Sequence, residues 1–422
     1  MIQPQIDISS PQPDVDVTLD ELVERYLKVW WQTESAFPNL GFTYPLHEKL
    51  RREKLLRSTV DTLTTELKQK DASPAARAAR RTRLEELAAR FALTALDLDP
   101  AALRAFLAAG FREAAFEFAR RARAFDPDLS GADIYQAGRN AWSMNLFQYL
   151  FGLPVQVTPA VFAYSLLYPY TDNYLDDPAL PAADKRRANK RLTLRLAGKP
   201  FLPANPHEAH IFDLVSMIED QFERSRFPQV YQSLLVIQKA QVESLGLIQP
   251  HASPYELDAL RMCFKKGGAA TLADGYLVAG TLTPAQQEFA FGYGALTQLL
   301  DDQEDLENDR AAGLMTVFSQ TSYGWPLDGI VNRVFAFKTA ALAGMREMEL
   351  AGRAPISPLI LRGIDLLIQA NAGRMGQFHT HRYLRALEEG FPLRFSELAR
   401  QQRRLFGLRL SFDRLAANLI DA

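Results

Sequence analysis

From one end of the chain to the other, apolar residues recur at the three- and four-residue spacing of amphipathic helices, with start signals where those stretches begin. Thr18 with Glu21 reads as a capping box opening a helix over 19–31. Ser73-Pro74 and Asp99-Pro100 each place an N-cap before a proline at the first helical position, and the second of these is expected to open one long helix ending near Phe125. Thr283-Pro284 with Gln286 caps another start, and Gly313 suits an end. Further helices are expected near 131–150, 157–177, 183–197, 206–225, 227–246, 254–279, 284–311, 325–351, 356–389 and 393–408. Sustained β-branched alternation is missing, as are Asn-Gly and Asp-Gly hairpin signals between apolar runs. The expected fold class is all-α.

The 422 residues allow two or three domains at about 150 residues each. Residues 1–16 are polar and proline-bearing and read as a flexible N-terminal arm; 17–125 read as a helical region packing on the rest; a weak boundary at Asp126-Pro127-Asp128 opens the body of the protein, 126–422. Lysine plus arginine is 48 and aspartate plus glutamate 50, a formal charge of −2, so no global field collects nucleic acid or an anionic membrane. A single cysteine, Cys263, excludes an internal disulfide. No basic start with an apolar segment marks a signal peptide, and no run approaches the roughly 18 apolar residues of a membrane span, so a cytoplasmic protein without a transmembrane segment is expected.

Two acidic runs break the helical pattern. Asp172-Asn173-Tyr174-Leu175-Asp176-Asp177 ends an aromatic-rich helix, with Asp172 and Asp176 four apart and so on one face. Gln298-Leu299-Leu300-Asp301-Asp302-Gln303-Glu304-Asp305 continues to Asp309, placing Asp301, Asp305 and Asp309 on a stripe. Both runs lie at a helix C-terminus, where the dipole is already negative, and like charges on one face repel. A bound cation resolves both problems, and Mg²⁺ commonly takes one or two carboxylates together with phosphate oxygens. Thr297, Gly294 and Ala290 continue the second face backwards as small residues, which reads as room for a ligand, widened by Gly292 and Ala295. Gly267-Gly268 in mid-helix reads as a break.

Asp172-x-x-x-Asp176-Asp177 followed 129 residues later by Asp301-Asp302-x-x-Asp305, in an all-α chain, resembles the class I isoprenoid synthases over roughly residues 130–390. That superfamily holds terpene cyclases, trans-prenyl diphosphate synthases and head-to-head squalene and phytoene synthases. The resemblance implies a class I synthase-like helical bundle with additional N-terminal helices, 126–422 being its catalytic domain. It implies that Asp172, Asp176, Asp177, Asp301, Asp302, Asp305 and Asp309 hold Mg²⁺, three ions, against the diphosphate of an allylic isoprenoid substrate. Arg261 is similar in place to a diphosphate sensor, with Lys265 and Lys266 as alternates, and Arg382-Tyr383 resembles the Arg-Tyr pair with which terpene synthases grip diphosphate. Gln298 stands where the second motif of prenyl diphosphate synthases has glutamine, but Thr297 departs from the aromatic before it.

A carbocation left by ionisation needs a dry pocket and is stabilised by aromatic faces. Tyr164 and Tyr168, then Tyr276, Phe291 and Tyr293, are the candidate wall, with Gln298 and Lys265 as further substrate contacts. No Gly-Lys-Arg element for a second diphosphate is visible upstream, which favours a cyclase on one diphosphate over the prenyl diphosphate synthase and head-to-head alternatives. A helical scaffold with solvated acidic faces is the non-enzyme alternative, and the N-terminal helices are expected to cap the bundle or make a homodimer contact.

Overall fold

A computed structural model of the chain describes residues 14–68, 73–176, 180–248, 253, 256–349 and 353–406. The fold is all-α. The N-terminal helices are α1 (Val15–Gln32), α2 (Leu46–Lys68), α3 (Pro74–Ala95), α4 (Pro100–Ala108) and α5 (Phe111–Phe125). The central ones are α6 (Gly131–Leu150), α7 (Pro159–Asp176), α8 (Ala182–Leu196), α9 (Pro206–Gln221), α10 (Pro228–Ser244), α11 (Ala259–Ala279), α12 (Pro284–Glu304) and α13 (Leu306–Ala312). They are followed by α14 (Val317–Ser322), α15 (Asp328–Ala341), α16 (Met345–Met348), α17 (Ser357–Arg374), α18 (His381–Glu389) and α19 (Phe395–Phe406). No helix among the described residues is long and apolar enough to cross a membrane.

Several expected helix limits change; the 325–351 stretch divides into α15 and α16, and the 356–389 stretch into α17 and α18. The first helix starts a turn earlier than Thr18: Asp14 is the N-cap, accepting from the Asp16 N–H at 2.9 Å, while the Thr18 hydroxyl bonds back to the Asp14 carbonyl. Residues 15 and 16 therefore belong to a core helix rather than an arm. The stretch after Pro100 is two helices, because Gly110 adopts φ +94°, a left-handed conformation that a side chain would strain. The 284–311 stretch turns at Asp305, yet the Asp305 N–H still bonds the Asp301 carbonyl (2.8 Å) and the Asp309 N–H bonds that of Asp305 (2.9 Å), so the acidic stripe keeps its helical spine.

The 17–125 region is not a single outer layer. Leu19, Leu22, Val23, Tyr26, Leu27 and Trp30 bury α1 in the main core, against α10, α11, α12 and α15. Helices α2 and α3 pair with each other, and α2 joins α17 and α19 around a small second core of Leu56, Val60, Leu366, Phe391 and Leu393. Glu53 fixes that attachment. Its carboxylate is fully buried and accepts a fork from Arg394, at 2.8 Å from Nε and 2.7 Å from Nη2. Burial raises the Glu53 pKa, but the Arg394 fork overcomes it, leaving the net value below its ordinary 4.5. A carboxyl depressed on folding contributes stability above about pH 4.5 that is lost as the pH falls through its folded value. We expect Glu53→Gln to lower unfolding stability at pH 7 by about 3 kcal/mol, and to narrow the gap to wild type on acidification to pH 3. Urea unfolding at both pH values checks this; an unchanged midpoint at pH 7 refutes it.

Helix α11 is the hub, packing on α1, α6, α7, α10 and α12 and buried nearly all round, as expected of a central helix. It runs unbroken through Gly267-Gly268, correcting the expected break. The small residues are not vacant either. A Cβ on Gly267 would lie 2.3 Å from the Gly294 carbonyl oxygen, one on Gly268 2.2 Å from the Phe291 ring, and one on Gly292 2.5 Å from the Tyr26 hydroxyl. The glycines let α12 lie backbone-to-backbone on α11 and admit α1; they do not widen a pocket.

Candidate active site

Two helix pairings orient the acidic runs. On one flank of α6, Asp126, just before it, accepts a hydrogen bond from Tyr170, and Asn140 reaches Ser165 at 3.3 Å, so α6 and α7 run antiparallel. On the other flank, Arg139 lies 3.7 Å from Asp301 and the rings of Phe147 and Phe289 are 5.8 Å apart, so α12 is antiparallel to α6 as well. The C-terminal ends of α7 and α12, which carry the two acidic runs, therefore lie at the same end of the bundle with the N-terminal half of α6 beside both. The side chains of Tyr168, Asp172 and Asp176 and the whole of Asp177 lie outside the described residues; the backbone of 172–176 forms the last turn and a half of α7.

The second run is described in full. Asp302 is buried and accepts from the Gln298 amide at 2.9 Å and from the Cys263 thiol. Burial pushes its carboxyl up to about 6, against the pull of those two donors. Burial, then the neighbouring Asp302, Asp305 and Asp301, push Asp309 up to about 7. Asp301 is raised by desolvation and by Asp305, and lowered by Arg139 and Lys266. Burial and the adjacent Asp302 hold the Cys263 thiol well above its ordinary value, so it serves as a hydrogen-bond donor. Four carboxyl groups thus face two cations, Lys266 on α11 and Arg139 on α6. The surplus negative charge requires protons or a further cation.

Among the described residues, no three of His, Cys, Asp and Glu are gathered into a group that by itself holds a metal. The donor set is hard carboxylate oxygen, suited to Mg²⁺ that completes its shell with water and phosphate rather than with an all-protein cage.

Inward from Asp301, residues at four-residue steps on α12 and α11 face α6. Thr297 and Tyr293 on α12, Ala270 on α11 and Asn140 and Ser143 on α6 keep partial solvent access, while adjacent Ala269, Leu272, Ala273 and Leu296 are sealed. The Tyr293 hydroxyl bonds Ser143, and its ring packs 5.6 Å from that of Phe147. Tyr293 is the expected wall aromatic that lies on the α6-facing side of α12, about two turns inward from Asp301.

The others are placed differently. Phe291 is fully buried on the opposite side of α12, 5.1 Å from the Tyr26 ring. Tyr276 is a core ring whose hydroxyl accepts from Gln287 at 2.8 Å. Tyr164 lines a separate cavity of about 40 Å³ with Leu192, Leu234 and Ile237, between α7, α8 and α10. The cations also divide. Arg261 pairs with Glu24 of α1 and with Asp258, 3.3 Å away, and Lys265 pairs with Glu243 of α10 at 2.7 Å. Only Lys266 of the three acts on Asp301, Asp302 and Asp309. Tyr383 is buried in the seam of α18 with α15, its hydroxyl 2.8 Å from Asn332 and its ring stacked on His379, and Arg382 beside it is exposed. The structure does not bring that pair to the acidic run.

No protein-family model matches the chain, and no curated protein matches it.

Sequence reasoning passed over Arg139, Asn140 and Ser143. Arg139 and Asn140 carry no legible signal, since nothing in their spacing distinguishes them from other polar residues of α6.

Proposed function

We propose that the protein ionises an allylic isoprenoid diphosphate in a Mg²⁺-dependent, terpene synthase-like reaction that releases diphosphate. The observation that carries this reading is the convergence of two acid-bearing helix C-termini on one end of the bundle, where Asp301, Asp302 and Asp309 outnumber Lys266 and Arg139. Asp301, Asp305 and Asp309, with Asp172 and Asp176 from α7, would hold the metal. Bound there, Mg²⁺ would neutralise the diphosphate and act as a Lewis acid on its oxygens.

The chain's own groups divide the remaining work. Lys266 and Arg139 supply fixed positive charge to the leaving diphosphate, Arg139 by the planar fork that suits phosphate. Gln298 and Cys263 hold Asp302 in one orientation. The Tyr293 ring gives an electron-rich face at the first turns inside the mouth, where a cation would form.

Incubation with geranyl, farnesyl and geranylgeranyl diphosphates, with and without Mg²⁺, tests this. Diphosphate release with hydrocarbon or alcohol products supports the reading. Longer diphosphates formed only with added isopentenyl diphosphate replace it with chain elongation, and no turnover leaves a helical scaffold. Because Arg261 is engaged by Glu24 and Asp258 away from the acidic run, Arg261→Ala is expected to keep diphosphate release within about threefold, while Lys266→Ala lowers it at least tenfold, a loss of about 1.4 kcal/mol in transition-state stabilisation. The reverse ranking would return the sensor role to Arg261.

A further inference from the structure

The formal charge of −2 hides a local excess. Between Ala182 and Asn205, over α8 and the loop after it, the chain carries seven lysines and arginines against one aspartate, Asp184. Three of the seven have partners. Arg191 forks onto Glu208 of α9 at 2.5 and 2.7 Å, Arg195 lies 2.6 Å from Glu219, and Arg187 lies 3.5 Å from Asp184. Among the described residues, Lys185, Arg186, Lys190 and Lys199 have no carboxylate within 4 Å, and the last three are exposed. Leu192 and Leu196 bury one face of α8, while Arg186, Lys190 and Thr193 follow at four- and three-residue steps along the opposite face. The exposed acids of α9, Asp213 and Asp220, are each about 100° around that helix from Phe212 and Glu219, which meet Arg195.

Two leucines stand out on the same side. Leu194 is 38% exposed, and Leu202, just beyond the helix, is 86% exposed, more than any other large apolar residue described. Its loop is held on both sides. The Lys199 N–H bonds the Leu194 carbonyl at 2.9 Å, and Arg191 donates to the carbonyl of Leu202 itself at 2.8 Å. The Phe201 ring packs edge-on to that of Phe212 at 5.1 Å, and the Ala204 N–H bonds Glu208. The backbone is thereby fixed with the Leu202 side chain in solvent. A scattered exposed leucine is ordinary. One held out beside three unpaired cations combines an apolar anchor with a basic face, the pairing that suits an anionic lipid surface.

We propose that the outer face of α8 and the 199–203 loop dock on an anionic phospholipid bilayer. Leu202 and Leu194 enter the headgroup boundary, and Arg186, Lys190 and Lys199 meet the lipid phosphates. The contact is peripheral and reversible, because no described helix is long and apolar enough to cross. Nucleic acid would reward the same cations, but a phosphate backbone gives nothing to a leucine fixed in solvent. The docking does not depend on the ionisation reading above.

The test is co-sedimentation of the full-length protein with vesicles of phosphatidylcholine alone and of phosphatidylcholine and phosphatidylglycerol in equal parts. Wild type is expected to sediment with the mixed vesicles, to stay in solution with the neutral ones, and to be released at about 1 M salt, where screening acts within about 3 Å. Arg186→Glu combined with Lys190→Glu is expected to lower affinity for the mixed vesicles at least tenfold. Leu202→Ser is expected to lower it at least threefold, while Leu107→Ser, at an exposed leucine on α4, leaves it unchanged. All four side chains are exposed, and unchanged melting temperatures of the free variants separate lost docking from lost fold. No sedimentation of wild type with the mixed vesicles, equal sedimentation with both kinds, or affinity unchanged in both α8-side variants overturns the proposal. Binding to duplex DNA as tight as to the mixed vesicles, and untouched by Leu202→Ser, overturns it in favour of nucleic acid.

Discussion

Gly294→Ala is expected to be among the most destabilising single-methyl changes the protein can undergo. A Cβ at that position would lie 2.0 Å from the Thr271 Oγ1 and 2.2 Å from the Gly267 carbonyl oxygen. The second neighbour is backbone in the middle of α11 and has no rotamer with which to yield. The helices must separate, and α11 is the element on which α1, α6, α7, α10 and α12 all pack. Overpacking of a well-filled core commonly costs about 1–3 kcal/mol, and a clash between two backbones belongs at the top of that range. Separation also moves Asp301, two helical turns along α12, away from Lys266. The variant should therefore melt several degrees lower and lose diphosphate release with it. Gly363→Ala is the matched control: it sits inside α17 with nothing within 4 Å of the added carbon. There the lower backbone entropy of alanine should stabilise the helix by about 0.5–1 kcal/mol. Equal melting temperatures for Gly294→Ala and wild type would show that α11 and α12 do not meet at these glycines.

The same glycines show what a linear reading captures and what it misses. Helical class, most helix starts and the acidic stripe follow from local patterns: a capping residue, a proline at the first position, a repeat of three or four. Thr283 with Gln286, Ser73 before Pro74 and the left-handed Gly313 all act as their residue types dictate. Whether a small residue leaves space or lets another helix approach depends on what lies across from it. Gly294 faces Gly267, which is 27 positions away, and Gly292 faces Tyr26 of α1. The fate of a cation is equally non-local. Arg261, Lys265 and Lys266 are near neighbours in sequence, yet they point to Glu24, to Glu243 and to the acidic run respectively. Helical rotation of about 100° per residue turns Lys266 away from Lys265, whereas Arg261 and Lys265, four apart, share a face, and only the positions of α1 and α10 along α11 decide their partners. Arg139 contributes from a helix that carries no acidic signature at all.

Asp301→Asn is expected to abolish most turnover while leaving the fold at least as stable, a combination that a solvated acidic surface would not give. Three carboxyl neighbours and partial burial already hold this end of the bundle against its own charge, which Arg139 and Lys266 offset at Asp301. Removing one negative charge eases that repulsion, so metal-free Asp301→Asn and Asp309→Asn should melt no lower than wild type and up to a few degrees higher. The catalytic consequence runs the other way. Electrostatic stabilisation by a bound metal is worth several kcal/mol, and losing about 3 kcal/mol of it slows release about 100-fold. Mg²⁺ should raise the wild-type melting temperature by binding only the folded state, and should do so much less in Asp301→Asn. Thermal melts with and without Mg²⁺, paired with diphosphate release by the same preparations, separate the two effects. A variant that keeps its turnover, or one that loses turnover only because it unfolds at lower temperature, would mean that Asp301 serves the architecture of α12 and not the chemistry at its end.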